Sequence, residues 1–195
     1  MKKKRNIVLG LCIIFLIVVT FLGYSIIKCK PITSIEKYGQ WDREDLKGNL
    51  DVFPKILDEN WKPEYYYNCQ KSLLDGDYQI YLKCEFDEKE FEEEVKRLQS
   101  IENTYEGKKH TIVYDSENFC YPAYVAISNF DSTYEYALMD EENNIIYYIY
   151  LQFINKEEIK FEEKLLPNNY LEGDVRYNIY AYEFEEMDGW HYNKE

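Results

Sequence analysis

The sequence predicts an α+β fold, in which an N-terminal transmembrane helix precedes a twisted antiparallel sheet with one main packing helix. An uncharged stretch runs from Ile7 to Ile27 and is long enough for a membrane helix. Several later segments alternate apolar and polar residues with a period of two, which is typical of strands. One segment after Asp87 instead repeats its apolar residues with helical spacing.

The uncharged stretch predicts a membrane anchor. A helix of its length spans roughly 31 Å, which is close to the hydrocarbon thickness of a bilayer. More basic residues precede it than follow it, so the positive-inside rule keeps the N-terminus in the cytoplasm. Residues 1–30 are therefore predicted as a cytoplasmic basic tip and a single-pass anchor in the plasma membrane, with the C-terminal domain outside. The alternative is a signal peptide cleaved at the triplet Gly23-Tyr24-Ser25.

The rest of the chain is strongly acidic. The first 30 residues hold six of the 23 Lys and Arg and none of the 37 Asp and Glu, which leaves residues 31–195 with a net charge of −20. Such a charge repels nucleic acid and favours a cationic protein or peptide as partner. Plain solubility of the domain is the alternative explanation.

Residues 31–63 are predicted as a tether and entry segment. Pro31, Pro54 and Pro63 interrupt any long helix or strand in this segment. The packed extracytoplasmic domain is therefore predicted over residues 64–195.

A β-hairpin is predicted at the start of this domain. Residues 78–86 alternate cleanly, and a turn is predicted at Gly76-Asp77. Cys69 and Cys84 lie symmetrically about that turn, so they would face each other within reach of a disulfide. The alternative is a pair of buried free thiols, because a shift of one residue in register separates the two cysteines.

A helix is predicted over residues 88–101. Asp87 can cap its first turn, and Glu90 completes a capping box. Apolar residues then follow at helical spacing, at Phe91, Val95, Leu98 and Ile101.

Period-two patterns return after Gly107 and predict four strands, in HTIVY, YPAYVAISNF, STYEYALM and NNIIYYIYLQFI. A last strand is predicted in DVRYNIYAYEF, after an ambiguous segment that suits a short helix and a loop. The connections are short, which favours antiparallel pairing because parallel strands need long crossovers.

No catalytic, cofactor or metal site is predicted. Cys120 is the candidate nucleophile, but nothing in the sequence brings it to His110 or His191, the two possible bases. The cysteines and histidines also lack zinc spacing. The acidic run Asp140–Asn144 is interpreted as a hairpin turn rather than a calcium loop, since it lacks the EF-hand pattern.

Two kinds of carbohydrate chemistry are weighed as well. Paired carboxylates would serve a glycoside hydrolase, but with so many acidic residues the sequence signal has no specificity. Aromatic residues outside the predicted core or on outward strand faces would form a sugar-stacking platform, although ordinary packing explains them better: Trp41, Trp61, Trp190, Tyr148 and Tyr150.

The stretch ENFCYPAYVAISNFDSTYEYALMDEENNIIYYIYLQFINKEEI resembles hypothetical membrane-anchored proteins of low-GC Gram-positive bacteria of the clostridial kind. The resemblance covers much of residues 50–160. It implies a bacterial cell-envelope setting and transfers no catalytic residue to this chain.

Together these observations predict a membrane-anchored, extracytoplasmic domain that binds a partner and is not an enzyme. The alternatives are a secreted or surface hydrolase that uses acidic residues, and an accessory subunit of a membrane complex. No cofactor is predicted.

Overall fold

The computed structural model describes residues 13–16, 27–28, 30–41, 46–71, 76–105, 108–128, 132–171, 180, 182–185 and 189–192. Its strands are, in chain order, β1 Ile27–Lys28, β2 Glu64–Lys71, β3 Gly76–Glu85, β4 Glu102–Tyr105, β5 Lys108–Thr111, β6 Val113–Asp115, β7 Ala123–Val125, β8 Thr133–Asp140, β9 Ile145–Gln152, β10 Tyr182–Glu185 and β11 Gly189–Tyr192.

Seven of these strands form the main sheet, in the order β1-β2-β3-β9-β8-β7-β6, and every neighbouring pair is antiparallel. Two further pairs, β4 with β5 and β10 with β11, each form a two-stranded sheet. The predicted antiparallel pairing is therefore confirmed for the described strands.

The predicted packing helix is α1, Glu88–Gln99. Asp87 accepts a hydrogen bond from the Glu90 N–H at 2.8 Å, and the Glu90 carboxylate reaches back to the Asp87 N–H. This capping box fixes the first turn, as the sequence predicts. The helix ends two residues earlier than predicted, with Ser100 as its C-cap. The other helices are short: α2 Asn168–Leu171, and 3-10 helices at Ile35–Lys37, Glu59–Trp61, Lys156–Glu158 and Glu163–Leu165.

The predicted transmembrane helix is wrong. Among the residues that the structure describes, no helix is long and apolar enough to cross a membrane. Residues 13–16 are helical, but Ile27, the predicted end of the anchor, lies in β1 and pairs with Lys71 of β2. Most of the stretch that begins at Ile7 lies outside the described residues.

The predicted fold class is corrected accordingly, to an antiparallel sheet with few helices and without a leading membrane helix. The single-pass membrane assignment rested on that helix and is wrong as well. The location of the domain outside the cytoplasm stays a prediction.

The β2–β3 hairpin forms with a different register from the predicted one. Gly76 and Asp77, the expected turn, are instead the first residues of β3 and pair with Lys71 and Gln70. The Gly76 carbonyl accepts a hydrogen bond from the Gln152 side chain at 2.9 Å, and a Cβ on Gly76 would meet the Tyr78 ring at 2.5 Å. This glycine therefore serves close packing within the sheet rather than a turn.

Both faces of the central strands are covered. On one face, Tyr148 and Leu82 pack in a core that also includes residues of α1 and of the segment before β2. On the opposite face, Ile149 and Leu151 pack in a second core with residues of the segment that follows β9. A strand buried on both faces needs apolar residues at successive positions, which explains the sequence IIYYIYLQ of β9.

The segment predicted as a tether contributes directly to the first core. Its described part includes five buried residues, Trp41, Leu50, Val52, Phe53 and Pro54. Packed structure therefore extends well before Glu64.

Candidate functional site

The segment from residue 46 to residue 55, here called the strap, crosses one face of the sheet without regular secondary structure. Its backbone N–H groups donate to side chains of the sheet. The N–H groups of Leu50 and Val52 each donate to one oxygen of Glu135, both at 2.9 Å. Those of Lys47 and Gly48 donate to the Tyr150 hydroxyl, both at 3.1 Å.

These bonds explain why an irregular segment packs there. A buried backbone N–H without a partner costs free energy, and β8 and β9 supply the missing acceptors. Gly48 allows the close approach, since a Cβ on it would meet the Tyr150 ring at 2.6 Å. The sheet therefore fixes the position of the strap.

Glu135 is almost completely buried in the contact between the strap and the sheet. Burial raises the pKa of its carboxyl group, the N–H groups of Val52 and Leu50 lower it, and the charge of Asp51 raises it, with the net result that the pKa lies at about 8. Because the folded pKa exceeds the usual value of 4.5, ionisation of Glu135 destabilises the fold.

The stability of the chain is thus expected to decrease as the pH rises from about 4.5 to about 8 and to level off above that range. Urea unfolding followed by circular dichroism across this range measures the slope. The Glu135→Gln variant removes the titrating group and is expected to flatten the slope. An equal slope in both proteins would contradict this assignment.

A second polar cluster joins α1 to the sheet and to the strap. Glu94 of α1 accepts hydrogen bonds from the Tyr148 hydroxyl and from Arg97 Nη2, both at 2.6 Å. The same Arg97 nitrogen donates to the Val52 carbonyl at 2.6 Å. One arginine therefore links the helix to the strap.

A pocket of about 520 Å³ opens beside the strap, and it is here called the strap pocket. Tyr38, Trp41 and Phe53 provide its aromatic walls, and Lys55 and Glu102 are exposed residues of its lining. The Trp41 ring lies 4.8 Å from the Tyr38 ring and 6.0 Å from the Phe53 ring, both edge-on. The volume of the strap pocket and its mixture of aromatic walls and a few polar groups are typical of ligand sites.

Two polar atoms of this lining have no hydrogen-bond partner among the described residues. They are Nε1 of Trp41, a side chain only 7% exposed, and Oδ2 of Asp51. Burial raises the pKa of Asp51, whereas a hydrogen bond from Asn49 and the charge of Lys55 lower it. Both atoms are therefore buried polar atoms that the described structure leaves unsatisfied.

A smaller groove of about 270 Å³ lies at the other side of α1, between Gln99 and the rings of Tyr114 and Tyr124. Glu141 also lines it, and Tyr114 is 54% exposed. None of its side chains has a buried polar atom that lacks a partner in the described structure. The strap pocket is thus the stronger candidate site.

The possible disulfide between Cys69 and Cys84 is not formed. Cys69 pairs with Tyr78 across the hairpin, so Cys84 lies six positions further along β3. Cys84 is a buried free thiol and Cys120 an exposed one. Both cysteines of the predicted pair do share one face of the sheet.

Cys69 is nevertheless disulfide-bonded. Cys84 and Cys120 are free, so the partner of Cys69 lies outside the described residues.

The structure gives no support to thiol catalysis at Cys120. Burial raises the pKa of this thiol, so the reactive thiolate is disfavoured at neutral pH. The side chains of His110 and His191 lie outside the described part.

The residues weighed for a sugar platform do not form one in the described structure. Trp41, Tyr148 and Tyr150 are buried, and Trp61 packs on Phe86 with ring centroids 5.0 Å apart. The side chain of Trp190 lies outside the described part. The outward orientation predicted for Tyr148 and Tyr150 is wrong because the strap and α1 cover that face.

The acidic run after β8 is a hairpin turn, as predicted. Asp140 and Ile145 pair across it, and Asn144 adopts a positive φ of 51°. Across the described residues, no group of three or more His, Cys, Asp or Glu side chains is arranged to hold a metal ion.

Sequence reasoning missed the strap and its acceptor Glu135. One signal was present: Glu135 stands on the same strand face as Ala137 and Met139, where an isolated carboxylate needs buried donors. Asp51 carried no comparable signal, because it lies in an irregular segment.

Comparison of the chain with protein-family models, with curated proteins and with solved structures finds no match. The resemblance to hypothetical membrane-anchored proteins of clostridial-type bacteria therefore stays a prediction.

Proposed function

We propose that this chain is a non-enzymatic binding domain that acts outside the cytoplasm and captures a cationic protein or peptide. The observation that carries the proposal is the net charge of −20 over residues 31–195. A field of this sign raises the local concentration of cationic partners and speeds their association.

The arrangement of the charges supports the proposal. Seven basic side chains of the described surface contact carboxylates at 2.6–3.6 Å: Lys62, Lys83, Lys89, Lys96, Arg97, Lys156 and Lys164. The exposed Lys37, Lys55 and Lys160 form no ion pair within the described structure, and neither do the exposed Glu141 and Glu142. Such carboxylates remain available to a cationic partner.

One observation supports the location outside the cytoplasm, and the sheet is compatible with a cleaved signal peptide. Cys69 is disulfide-bonded, and disulfides persist mainly in oxidising compartments. Cleavage of a signal peptide at Gly23-Tyr24-Ser25, the alternative to an anchor, would leave Ile27 and Lys28 in the released chain. These two residues form β1, so the sheet would keep all its strands.

A hydrolase that uses acidic residues is the second candidate, since Asp51 and Glu102 both line the strap pocket. A glycoside hydrolase needs two carboxyl groups fixed on opposite sides of the bond that breaks. Asp51 is held by Asn49, but Glu102 is exposed at the edge of the pocket. The nearby Glu135 binds strap N–H groups through both oxygens. Binding therefore fits this geometry better than hydrolysis.

The proposal predicts salt-sensitive binding of cationic peptides by the purified full chain. Fluorescence anisotropy with a labelled lysine-rich peptide is expected to show a dissociation constant that rises with salt. The same peptide with glutamine in place of lysine is expected not to bind. An unrelated acidic protein of equal net charge is the control, and equal affinity for it would contradict a specific binding function.

A further inference from the structure

We propose that the strap is a pH-sensitive latch. It lies closed on the sheet while at least one of the carboxyl groups of Glu135 and Asp51 is uncharged, and it opens locally when both are ionised. This inference concerns a motion within the chain and does not depend on the proposed partner.

The strap holds one residue in a strained backbone conformation. Leu50 has a φ of 58°, in the left-handed region that residues other than glycine rarely adopt. Such a conformation costs free energy and persists only where the surrounding contacts hold it. The N–H groups of Leu50 and Val52 donate to Glu135 at this position, both at 2.9 Å. Glu135 therefore holds the strap in a conformation from which a released strap would relax.

The same hydrogen bonds bring a second acid against Glu135. Asp51 stands between Leu50 and Val52, and its Oδ2 is buried without a hydrogen-bond partner among the described residues. Burial and the charge of Asp51 both raise the pKa of Glu135, which lies at about 8 despite the N–H donors. Burial also raises the pKa of Asp51. The doubly ionised pair is therefore the unfavourable state of this contact.

The strap and β9 supply further titratable groups around Glu135. The strap carries the exposed Lys47 and Lys55, and the charge of Lys55 lowers the pKa of Asp51. From β9 comes Tyr150, whose hydroxyl accepts the N–H of Lys47. Burial raises the pKa of Tyr150, so its hydroxyl stays uncharged near neutral pH. On the strap and β9, the charge that opposes ionisation of Glu135 is thus that of Asp51.

The neighbouring elements do not add a counter-ion to Glu135 in the described structure. Arg97 of α1 binds Glu94 Oε1 and the Val52 carbonyl, both at 2.6 Å, so its charge is paired within the helix. On the side of β7, the neighbour of Glu135 is the uncharged Ala126, whose N–H donates to the Glu135 carbonyl at 2.8 Å. The carboxylate of Glu135 is thus held by backbone N–H groups rather than by a cation.

The direction of the switch follows from the two states of Glu135. A protonated carboxyl group keeps acceptor capacity, so the closed strap keeps its N–H bonds at low pH. In the open state Glu135 meets water, and its pKa returns towards the usual 4.5. Opening is therefore expected to become more favourable as the pH rises from about 4.5 to about 8, and to level off above that range. A neutral or alkaline medium would thus uncover the apolar residues between the strap and the sheet, including Val52 and Tyr150.

Native-state hydrogen exchange of the ¹⁵N-labelled full chain tests the latch at the amides of Leu50 and Val52. Their protection factors, corrected for the intrinsic effect of pH on exchange, are expected to fall at least about tenfold between about pH 5.5 and about pH 7.5. One group that ionises on opening changes the opening equilibrium by up to about tenfold per pH unit. Because the opening is local, both amides are also expected to be less protected than Ile149 in the centre of the sheet, with little effect of low urea.

Two results in the wild-type chain would overturn the inference. The first is equal protection of Leu50 and Val52 at the two pH values, which would mean that no ionisation is linked to their opening. The second is protection equal to that of Ile149 at both pH values, which would mean that the strap opens only when the whole fold unfolds.

Variants assign the effect to the two acids. Glu135→Gln does not ionise and is expected to remove the pH dependence at both amides. Asp51→Asn removes the neighbouring charge, so the fall in protection is expected to level off at a lower pH and to be smaller in total. Glu142→Gln, in the exposed turn after β8, is the matched control and is expected to stay within about twofold of wild type. A wild-type pH profile in Glu135→Gln or in Asp51→Asn would overturn the inference. If neither variant folds, the wild-type comparison decides.

Discussion

Replacing Glu135 with alanine is expected to lower the free energy of unfolding by about 3–5 kcal/mol. The substitution leaves the N–H groups of Leu50 and Val52 without acceptors in a buried contact, and each such group costs about 1–3 kcal/mol. A cavity at the former carboxylate adds to this cost. Urea unfolding at a pH near 6, followed by circular dichroism, measures the loss.

The exposed Glu142 provides the matched control, because Glu142→Ala removes the same side chain from the turn that follows β8. Its effect is expected to stay within about 0.5 kcal/mol. Glu135→Gln keeps one acceptor oxygen and is expected to fall between the two. A loss below about 1 kcal/mol for Glu135→Ala would show that the strap does not depend on this carboxylate.

Replacing Arg97 with methionine is expected to cost about 2–4 kcal/mol. The change leaves the carboxylate of Glu94, a side chain 7% exposed, without its cation and removes the donor to the Val52 carbonyl. Loss of one partner from a fully buried ion pair costs about 3–5 kcal/mol, and the 34% exposure of Arg97 reduces this figure. The same urea experiment applies.

Lys96→Met is the control for this experiment, since Lys96 pairs with Glu92 on the solvent side of α1 and both side chains are largely exposed. Its cost is expected to be below about 0.5 kcal/mol. Adding Glu94→Gln to Arg97→Met is expected to recover part of the lost stability, because no buried charge then lacks a partner. Equal losses for Arg97→Met and Lys96→Met would rule out the buried cluster as the cause.

Local signals account for the elements that the sequence predicts correctly. The α1 helix follows from Asp87 and Glu90, two residues that interact within a single turn. The long strands β8 and β9 follow from their apolar content and from the short acidic turn between them. In each case the deciding contacts lie within a few residues along the chain.

The missed features depend on residues far apart in the sequence. The sequence predicts a turn at Gly76, but the role of this glycine is to make room for the Tyr78 ring. The sequence also predicts a tether in the region of the strap, yet Glu135 binds the strap backbone from 83 and 85 residues away. Hydrophobic periodicity and residue propensities give no information on contacts between residues so far apart in the sequence. The details of the candidate site are therefore not predictable from the sequence.

The anchor prediction failed for a related reason. An uncharged run is consistent with a membrane helix, but the pairing of Ile27 with Lys71 is a contact between distant parts of the chain. Hydropathy alone does not show whether the end of an uncharged stretch belongs to a membrane helix or to a strand.

The disulfide of Cys69 gives the oxidised chain a different mass from the reduced chain. Chains kept in a reducing cytosol would hold Cys69 as a thiol and would be heavier by two hydrogen atoms than chains that have passed through an oxidising compartment. Gel mobility without reductant would separate the two forms, because the cross-linked chain is more compact when denatured. The ratio of the two forms in a sample of the native protein would therefore give the fraction that has been in an oxidising compartment.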